Sequence, residues 1–153
     1  MPIEYKVDQD IFKSDAEALV NTVNTVGIMG KGLAKEFKKR YPEMFKDYRK
    51  KCENNKLKIG KVDLFKTLDH LIVNFPTKIH WKNNSRLEWI EAGLQYFVNN
   101  YKKWKIKSVA FPQLGTNHGK LDWNSVKPLM ISYLEPLSIK VQIYTRSTVL
   151  SNY

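Results

Sequence analysis

The stretch Asn21 to Ala34, NTVNTVGIMGKGLA, places two amides and three glycines where a buried strand passes into a helix. Ala18-Leu19-Val20 is an apolar run too short for a helix and right for a buried strand. Gly27, Gly30 and Gly32 follow, and Leu33, Ala34, Phe37 and Tyr41 then fall on one helical face. Such a turn leaves backbone N–H groups uncovered by side chains, and the helix dipole favours negative charge, so the stretch suits an anion. The spacing excludes the two common nucleotide loops. Gly32 stands where a Walker loop needs Ser or Thr for magnesium, and Lys35 stands where a dinucleotide fingerprint needs a third Gly or Ala. Asn21 and Asn24 suit hydroxyl recognition better than proton chemistry. An ordinary turn, its asparagines satisfying loop backbone, accounts for the same residues.

The remaining reactive side chains form no comparable cluster. His70, His80, His118 and Cys52 lack metal-ligand spacing, so no metal is expected. Cys52 is the only cysteine, which excludes an internal disulfide and fits a reducing, cytoplasmic compartment. No apolar run reaches the length of a membrane span, and the N-terminus has no signal-peptide pattern, so no membrane partner is expected. At 153 residues and 42% hydrophobic content the expectation is a single globular domain over 1–153 with its own core. The net charge of +11 points to polyanionic partners. It is concentrated: residues 31–61 hold twelve basic side chains against four acidic ones, a net of +8. A nucleic-acid-binding face and a lysine-rich solvated helical surface both fit that segment.

The elements that must position these residues alternate. Strands are expected at 3–7, 18–23, 61–65, 70–75, 107–111 and 139–144 from their apolar runs and alternation. A helix is expected over 32–40, and a second opens at Pro42 with Met44, Phe45, Tyr48 and Cys52 on one face. Ser85-Arg86-Leu87-Glu88 is a capping-box signature, opening a helix with Leu87, Ile90, Leu94, Phe97, Val98 and Tyr101 on one side. The last helix carries Val126, Leu129, Met130, Tyr133 and Leu134 on one face, and Pro128 must sit in its first turns or kink it. The strand at 70–75 is expected to stop at Pro76, with a polar turn over 77–81. Alternating strands and helices define an α/β class in which loops 24–32, 76–85 and 113–121 could converge on one cleft beyond the strand ends.

Three segments carry a family resemblance: VNTVNTVGIMGKGLAKEFKKRYPEMFKDY, NFPTKIHW with SRLEWIEAGL, and PQLGTNHGKLDW. Over nearly its whole length the chain resembles the macrodomains, and more narrowly the branch of the terminal ADP-ribose glycohydrolases and the DarG-type DNA ADP-ribose glycohydrolase antitoxins. The resemblance implies a three-layer α/β/α fold with a mixed central sheet, ADP-ribose as ligand and no cofactor. It implies that Asp10 accepts the adenine amino group with Ile11 beside it. Asn21 and Asn24 would lie at the ligand, Asn24 binding the distal ribose and joining Lys78 in catalysis. Gly27, Met29, Gly30, Lys31 and Gly32 would wrap that ribose and the diphosphate. Leu114, Gly115, Thr116, Asn117, His118 and Gly119 would cradle the diphosphate through backbone N–H groups, which needs neither a P-loop lysine nor magnesium. His118 itself has no counterpart and reads as an exposed loop residue.

Lys78 matches the lysine with which this branch cleaves the ribose linkage. A neutral amine there could attack the anomeric carbon or form a Schiff base with the opened ribose, and a charged one could stabilise the departing group. By position alone it reads as a surface lysine paired with a carboxylate. Members acting on proteins carry an aspartate where this chain has Gly119, whereas the DNA-directed antitoxins carry glycine; Asp122 matches a residue that begins the next helix. The resemblance therefore implies a hydrolase that removes ADP-ribose from DNA at a thymidine base, with an ADP-ribosyltransferase toxin as partner. ADP-ribosylated protein is a further partner the resemblance allows. Dephosphorylation of ADP-ribose 1″-phosphate, deacetylation of O-acetyl-ADP-ribose, and binding without turnover are the alternatives the same fold hosts.

Overall fold

A computed structural model of the chain describes residues 2–147; residues 1 and 148–153 of the expected domain lie outside the described part. The strands are β1 (Ile3–Val7), β2 (Ala18–Asn24), β3 (Asp63–Lys66), β4 (Leu71–Lys78), β5 (Ser108–Phe111) and β6 (Lys140–Thr145). The helices are α1 (Gly32–Arg40), α2 (Pro42–Glu53), α3 (Leu87–Asn100) and α4 (Trp123–Leu134), with a single 3-10 turn at Ile11–Lys13. The strands form one sheet in the order β1-β6-β5-β2-β4-β3. All neighbours are parallel except β3, which runs antiparallel to β4, so the sheet is mixed.

Both faces are buried, which is why the central strands read as continuous apolar runs. Val20, Val73, Phe75, Val109, Phe111, Val141 and Ile143 face α3 and α4, meeting Leu94, Phe97, Met130 and Leu134. Leu19, Val23, Ile72 and Ala110 face α1 and α2, meeting Phe37, Met44 and Tyr48. The result is the expected three-layer α/β/α architecture. Gly93 sets the closest approach of α3 to the sheet, since a Cβ there would collide with the Phe75 ring.

Two local expectations are corrected. β4 does not stop at Pro76 but runs on to Lys78. β3 pairs only with Leu71 to Asn74, so the far half of β4 is an edge on that side, where a residue without an N–H is tolerated. The capping box at Ser85 does not form. α3 starts after Arg86 with no side-chain cap, because the Ser85 N–H is already given to the Gly119 carbonyl at 2.9 Å. Pro128 lies in the second turn of α4, which continues on either side of it. Asp122 caps α4 by accepting from Asn124 N at 3.0 Å, the helix-starting role the sequence suggested. No helix of the described residues is long and apolar enough to cross a membrane.

Candidate functional site

Because β1, β6, β5, β2 and β4 are parallel, the loops leaving their C-terminal ends open on one edge of the sheet. That edge receives Asp10 after β1, residues 25–31 after β2, residues 79–86 after β4 and residues 112–122 after β5. The direction of winding reverses between β2 and β5, since β2 leads on to β4 on one side and β5 leads to β6 on the other. Ligands of open α/β sheets bind at such a switch point. The β2–β5 ladder holds only at Ala18–Val109 and Leu19–Ala110, so pairing stops beyond Leu19 and the loops that follow the two strands flank the switch point.

The loop after β2 is built around Asn24. Its Oδ1 accepts from Val26 N and Gly27 N at 3.1 Å and from Ile28 N at 3.3 Å, and its Nδ2 donates to the Ile28 carbonyl at 2.7 Å. The Tyr48 hydroxyl completes the set. Burial, and then the adjacent Cys52 thiol, hold the Tyr48 pKa far above its ordinary value, so the phenol stays a donor. Asn24 thus braces the loop from within, these partners taking most of its hydrogen-bonding capacity. Asn21 is fully buried. Its Nδ2 donates to Asn74 Oδ1 at 3.2 Å, and the pair lies across the β2–β4 ladder near the sulfurs of Met29 and Met44.

Gly27 adopts φ +89 with a Cβ position 3.3 Å from Arg49 Cγ, and Gly32 adopts φ +54, so both glycines are required by conformation. Gly30 and Lys31 are exposed, while Met29 is buried beneath them. No side chain caps α1 and no acidic residue lies in its first turn, which leaves the amides of its first turn open to an anion.

The loop after β5 faces it. Thr116 Oγ1 donates to the Gln113 carbonyl at 3.1 Å, Lys120 N to the Asn117 carbonyl at 3.1 Å, and Leu121 N to the Gly115 carbonyl at 2.9 Å. Gly115 adopts φ +70, and Leu114 is buried in the core beneath the loop. A Cβ at Gly119 would collide with the Gly115 carbonyl and Ser85 Oγ, so this position admits no aspartate without displacing the loop. Asn117 and His118 are exposed. The two loops meet where the His118 ring covers Gly32, its Nε2 3.0 Å from where a Cβ would stand.

Lys78 ends β4 beside Asn24, its register partner after a shift in the ladder. It is half-buried, and its Nζ donates to the Trp81 carbonyl at 3.1 Å. It forms no ion pair among the described residues, so the carboxylate-paired surface reading does not apply. Burial first, then the charges of Lys120 and Lys31, lower its pKa below the ordinary lysine value. The same causes act on His118: burial, then Lys78 and Lys31, push its pKa down. Residues 18–35, 70–87 and 107–121, which contain all three loops, include no aspartate or glutamate. The cleft mouth is therefore a concentration of cationic groups with a titratable amine and no carboxylate.

Asp10 stands apart from this cluster on the β1 side. It is exposed and caps the 3-10 turn, Oδ1 accepting from Phe12 N at 3.0 Å. Phe12 packs on Phe37 of α1 with ring centroids 4.6 Å apart, which brings Asp10 and the buried Ile11 to the α1 side. Among the described residues no group of three or more His, Cys, Asp or Glu side chains is placed to hold a metal.

The switch-point cleft, bounded by a braced glycine loop and a second backbone-lined loop, defines a class. The Macro domain family model matches residues 20–130, and the chain belongs to the macro domain family. Within it, the chain superposes on the macrodomain of Mycobacterium tuberculosis DarG with a TM-score of 0.89 and 44% identity, covering 93% of this chain and 96% of that one. Thermosipho africanus DarTG, solved in complex with ADP-ribose, matches with a TM-score of 0.87 and 42% identity over 92% of this chain and 41% of its own. A Mycobacterium tuberculosis protein named DNA ADP-ribosyl glycohydrolase is 47% identical over 132 residues, which is 84% of this chain. The chain spans 38% of that relative's length.

Three contributors were not legible from spacing. Tyr48 read as a core residue of α2; Ser85, whose N–H holds the Gly119 carbonyl, read as a helix cap; and the Trp81 carbonyl carried no signal. Each acts across a long sequence separation or through the main chain, where side-chain patterns are silent.

Proposed function

We propose that this chain is an ADP-ribosyl glycohydrolase that removes ADP-ribose from ADP-ribosylated DNA, at a thymidine base. ADP-ribose lies in the cleft between residues 25–32 and 112–121, its diphosphate on the amides of the α1 N-terminus and of the Gly115–Gly119 loop. Asp10 and Ile11 take the adenine end. The observation that carries the catalytic reading is Lys78: an amine with a lowered pKa, held at the cleft mouth, on loops that offer no carboxylate to act in its place.

In the neutral form the Nζ lone pair bonds to the anomeric carbon of the distal ribose as the bond from that carbon to the base nitrogen breaks. The base departs with the electron pair and takes up a proton. Water then attacks the same carbon, releasing ADP-ribose and restoring the amine. If the ribose opens first, the amine instead adds to C1, the base leaves with the electron pair and takes up a proton to give a Schiff base, and water hydrolyses that to the aldehyde, restoring the amine and releasing ADP-ribose. The closed site at Gly119 supports a DNA substrate over a protein one, as do the names of the mycobacterial and Thermosipho relatives. The Thermosipho protein is named a fusion of a DNA ADP-ribosyl transferase with a DNA ADP-ribosyl glycohydrolase, which supports such a transferase as the toxin partner. We place the chain in the cytoplasm.

The test is release of ADP-ribose from an ADP-ribosylated single-stranded oligonucleotide, beside an ADP-ribosylated protein. Turnover of the oligonucleotide at least tenfold above that of the protein is the expected result. Turnover of the protein alone, or of neither by protein that binds ADP-ribose, overturns it.

A further inference from the structure

The segment that follows Lys78 is fixed at both ends and carries the Trp81 ring outward beside a half-buried His80. Thr25 N and Oγ1 donate to the Ile79 carbonyl at 3.0 and 2.9 Å, and Lys78 Nζ holds the Trp81 carbonyl at 3.1 Å. Asn83 N donates to the His80 carbonyl at 3.0 Å, and Lys82 N lies 3.2 Å from His80 Nδ1. The backbone is thus an ordered turn. On it the His80 and Trp81 rings lie 5.4 Å apart at 31°, and Lys82 Nζ stands 5.2 Å from the Trp81 ring centroid. Trp81 is 40% exposed and Ile79 49%, and neither belongs to either core cluster. Exposed aromatic and aliphatic surface on a rigid turn beside a cleft marks a recognition surface rather than packing.

The surrounding charge identifies the occupant. No acidic residue lies between His70 and Leu87, and Glu88 just beyond is paired with Arg86 at 3.6 Å. Lys78 and Lys82 belong to the same turn, and Lys120 and Lys31 lie near enough to Lys78 to perturb it. Flat rings interleaved with cations form a platform for the bases of a single strand, with the lysines serving its phosphates.

We infer that His80 and Trp81 form a base-stacking platform for single-stranded DNA, holding the nucleotides next to the ADP-ribosylated base so that its ribose linkage faces Lys78. This rests on the DNA glycohydrolase reading above and adds a specificity site to it. The lysine is tied to the platform by the main-chain carbonyl of Trp81, so the side chain can be changed while that hydrogen bond is kept.

The test compares wild type, Trp81→Ala and Trp81→Phe on an ADP-ribosylated single-stranded oligonucleotide and on free ADP-ribose. One lost base stack predicts that Trp81→Ala raises KM for the oligonucleotide by about tenfold or more. Its kcat and its ADP-ribose Kd stay within about twofold, and Trp81→Phe keeps KM within about threefold. An unchanged KM in Trp81→Ala, with the wild type active on the oligonucleotide, overturns the platform and leaves the glycohydrolase intact. A fall in kcat at unchanged KM also overturns it, since Trp81 would then only position Lys78. Wild type that binds ADP-ribose but releases none from modified DNA removes both readings.

Discussion

The Tyr48 hydroxyl lies 2.8 Å from both the main-chain carbonyl and the Oδ1 of Asn24, tying the end of β2 to the middle of α2. Through Asn24 this contact reaches the amides of Val26, Gly27 and Ile28. Tyr48→Phe removes one buried donor and leaves two acceptors short of it, at a cost of about 1–3 kcal/mol. Thermal unfolding should show the loss, and calorimetry should show ADP-ribose binding weakened several-fold because the glycine loop is no longer fixed. Full affinity in Tyr48→Phe would mean that the loop holds its shape without the brace.

Lys78→Ala should abolish release of ADP-ribose from modified DNA and leave ADP-ribose affinity within a few-fold. The interaction it removes is made mainly in the transition state, so kcat falls rather than ground-state binding. Lys78→Arg should fail as well, because a guanidinium stays protonated and cannot act as a nucleophile. The pH profile carries the sign. With the pKa lowered by burial and by Lys120 and Lys31, the neutral amine accumulates at lower pH than in an ordinary lysine. Activity should therefore rise with pH and level off below the pH at which a free lysine side chain titrates. Activity that falls over that range would make Lys78 a fixed cation and exclude the covalent route.

At Gly119 the collision with the Gly115 carbonyl and Ser85 Oγ predicts a packing defect of about 1–3 kcal/mol for Gly119→Ala. Gly119→Asp should be no better and should not confer activity on ADP-ribosylated protein, since the side chain cannot enter without moving the Gly115–Gly119 loop. Chemical denaturation of both variants, with a protein-substrate assay on the aspartate form, checks this. A stable aspartate variant that acts on protein would show that the loop yields readily.

The basic segment offers a separate test. Lys35, Lys38 and Lys39 are exposed on α1 and form no ion pair among the described residues, although Lys38 Nζ lies 4.3 Å from the Phe45 ring centroid. Lys38 also lines a groove of about 420 Å³ with Ile28, Phe45 and Arg49, to which residues 112–121 contribute nothing. Replacing the three lysines with alanine should weaken binding of modified DNA and flatten its salt dependence, because fewer counterions are released. Affinity for free ADP-ribose should stay within about twofold, since no phosphate-strand contact is lost with it. Equal DNA binding by wild type and triple variant across a salt titration would mark this as a solvated face.

The class of the fold was written in local pattern. Apolar runs at Ala18–Val20 and Leu71–Val73, helical stripes such as Ile90, Leu94 and Phe97, and the glycines before α1 follow from side-chain periodicity and conformational freedom, which act within a few residues. The likeness of the NTVNTVGIMGKGLA and NFPTKIHW stretches to macrodomains pointed to the family, and the loops did gather at one sheet edge. What needed the tertiary structure was the direction in which polar groups turn. Asn21 and Asn24 look identical as amides at a strand end, but one pairs with Asn74 across the ladder and the other is held by Tyr48 from α2. Ser85 satisfies a capping pattern, but its N–H is taken by Gly119 from a distant loop. Pro76 reads as a strand terminator, but antiparallel β3 begins only opposite Asn74 and leaves it an open edge. Lys78 carries no carboxylate partner only because three loops without acidic residues converge around it. Local chemistry specifies what a residue can bond to, and the long-range packing of the chain decides which of those bonds is made.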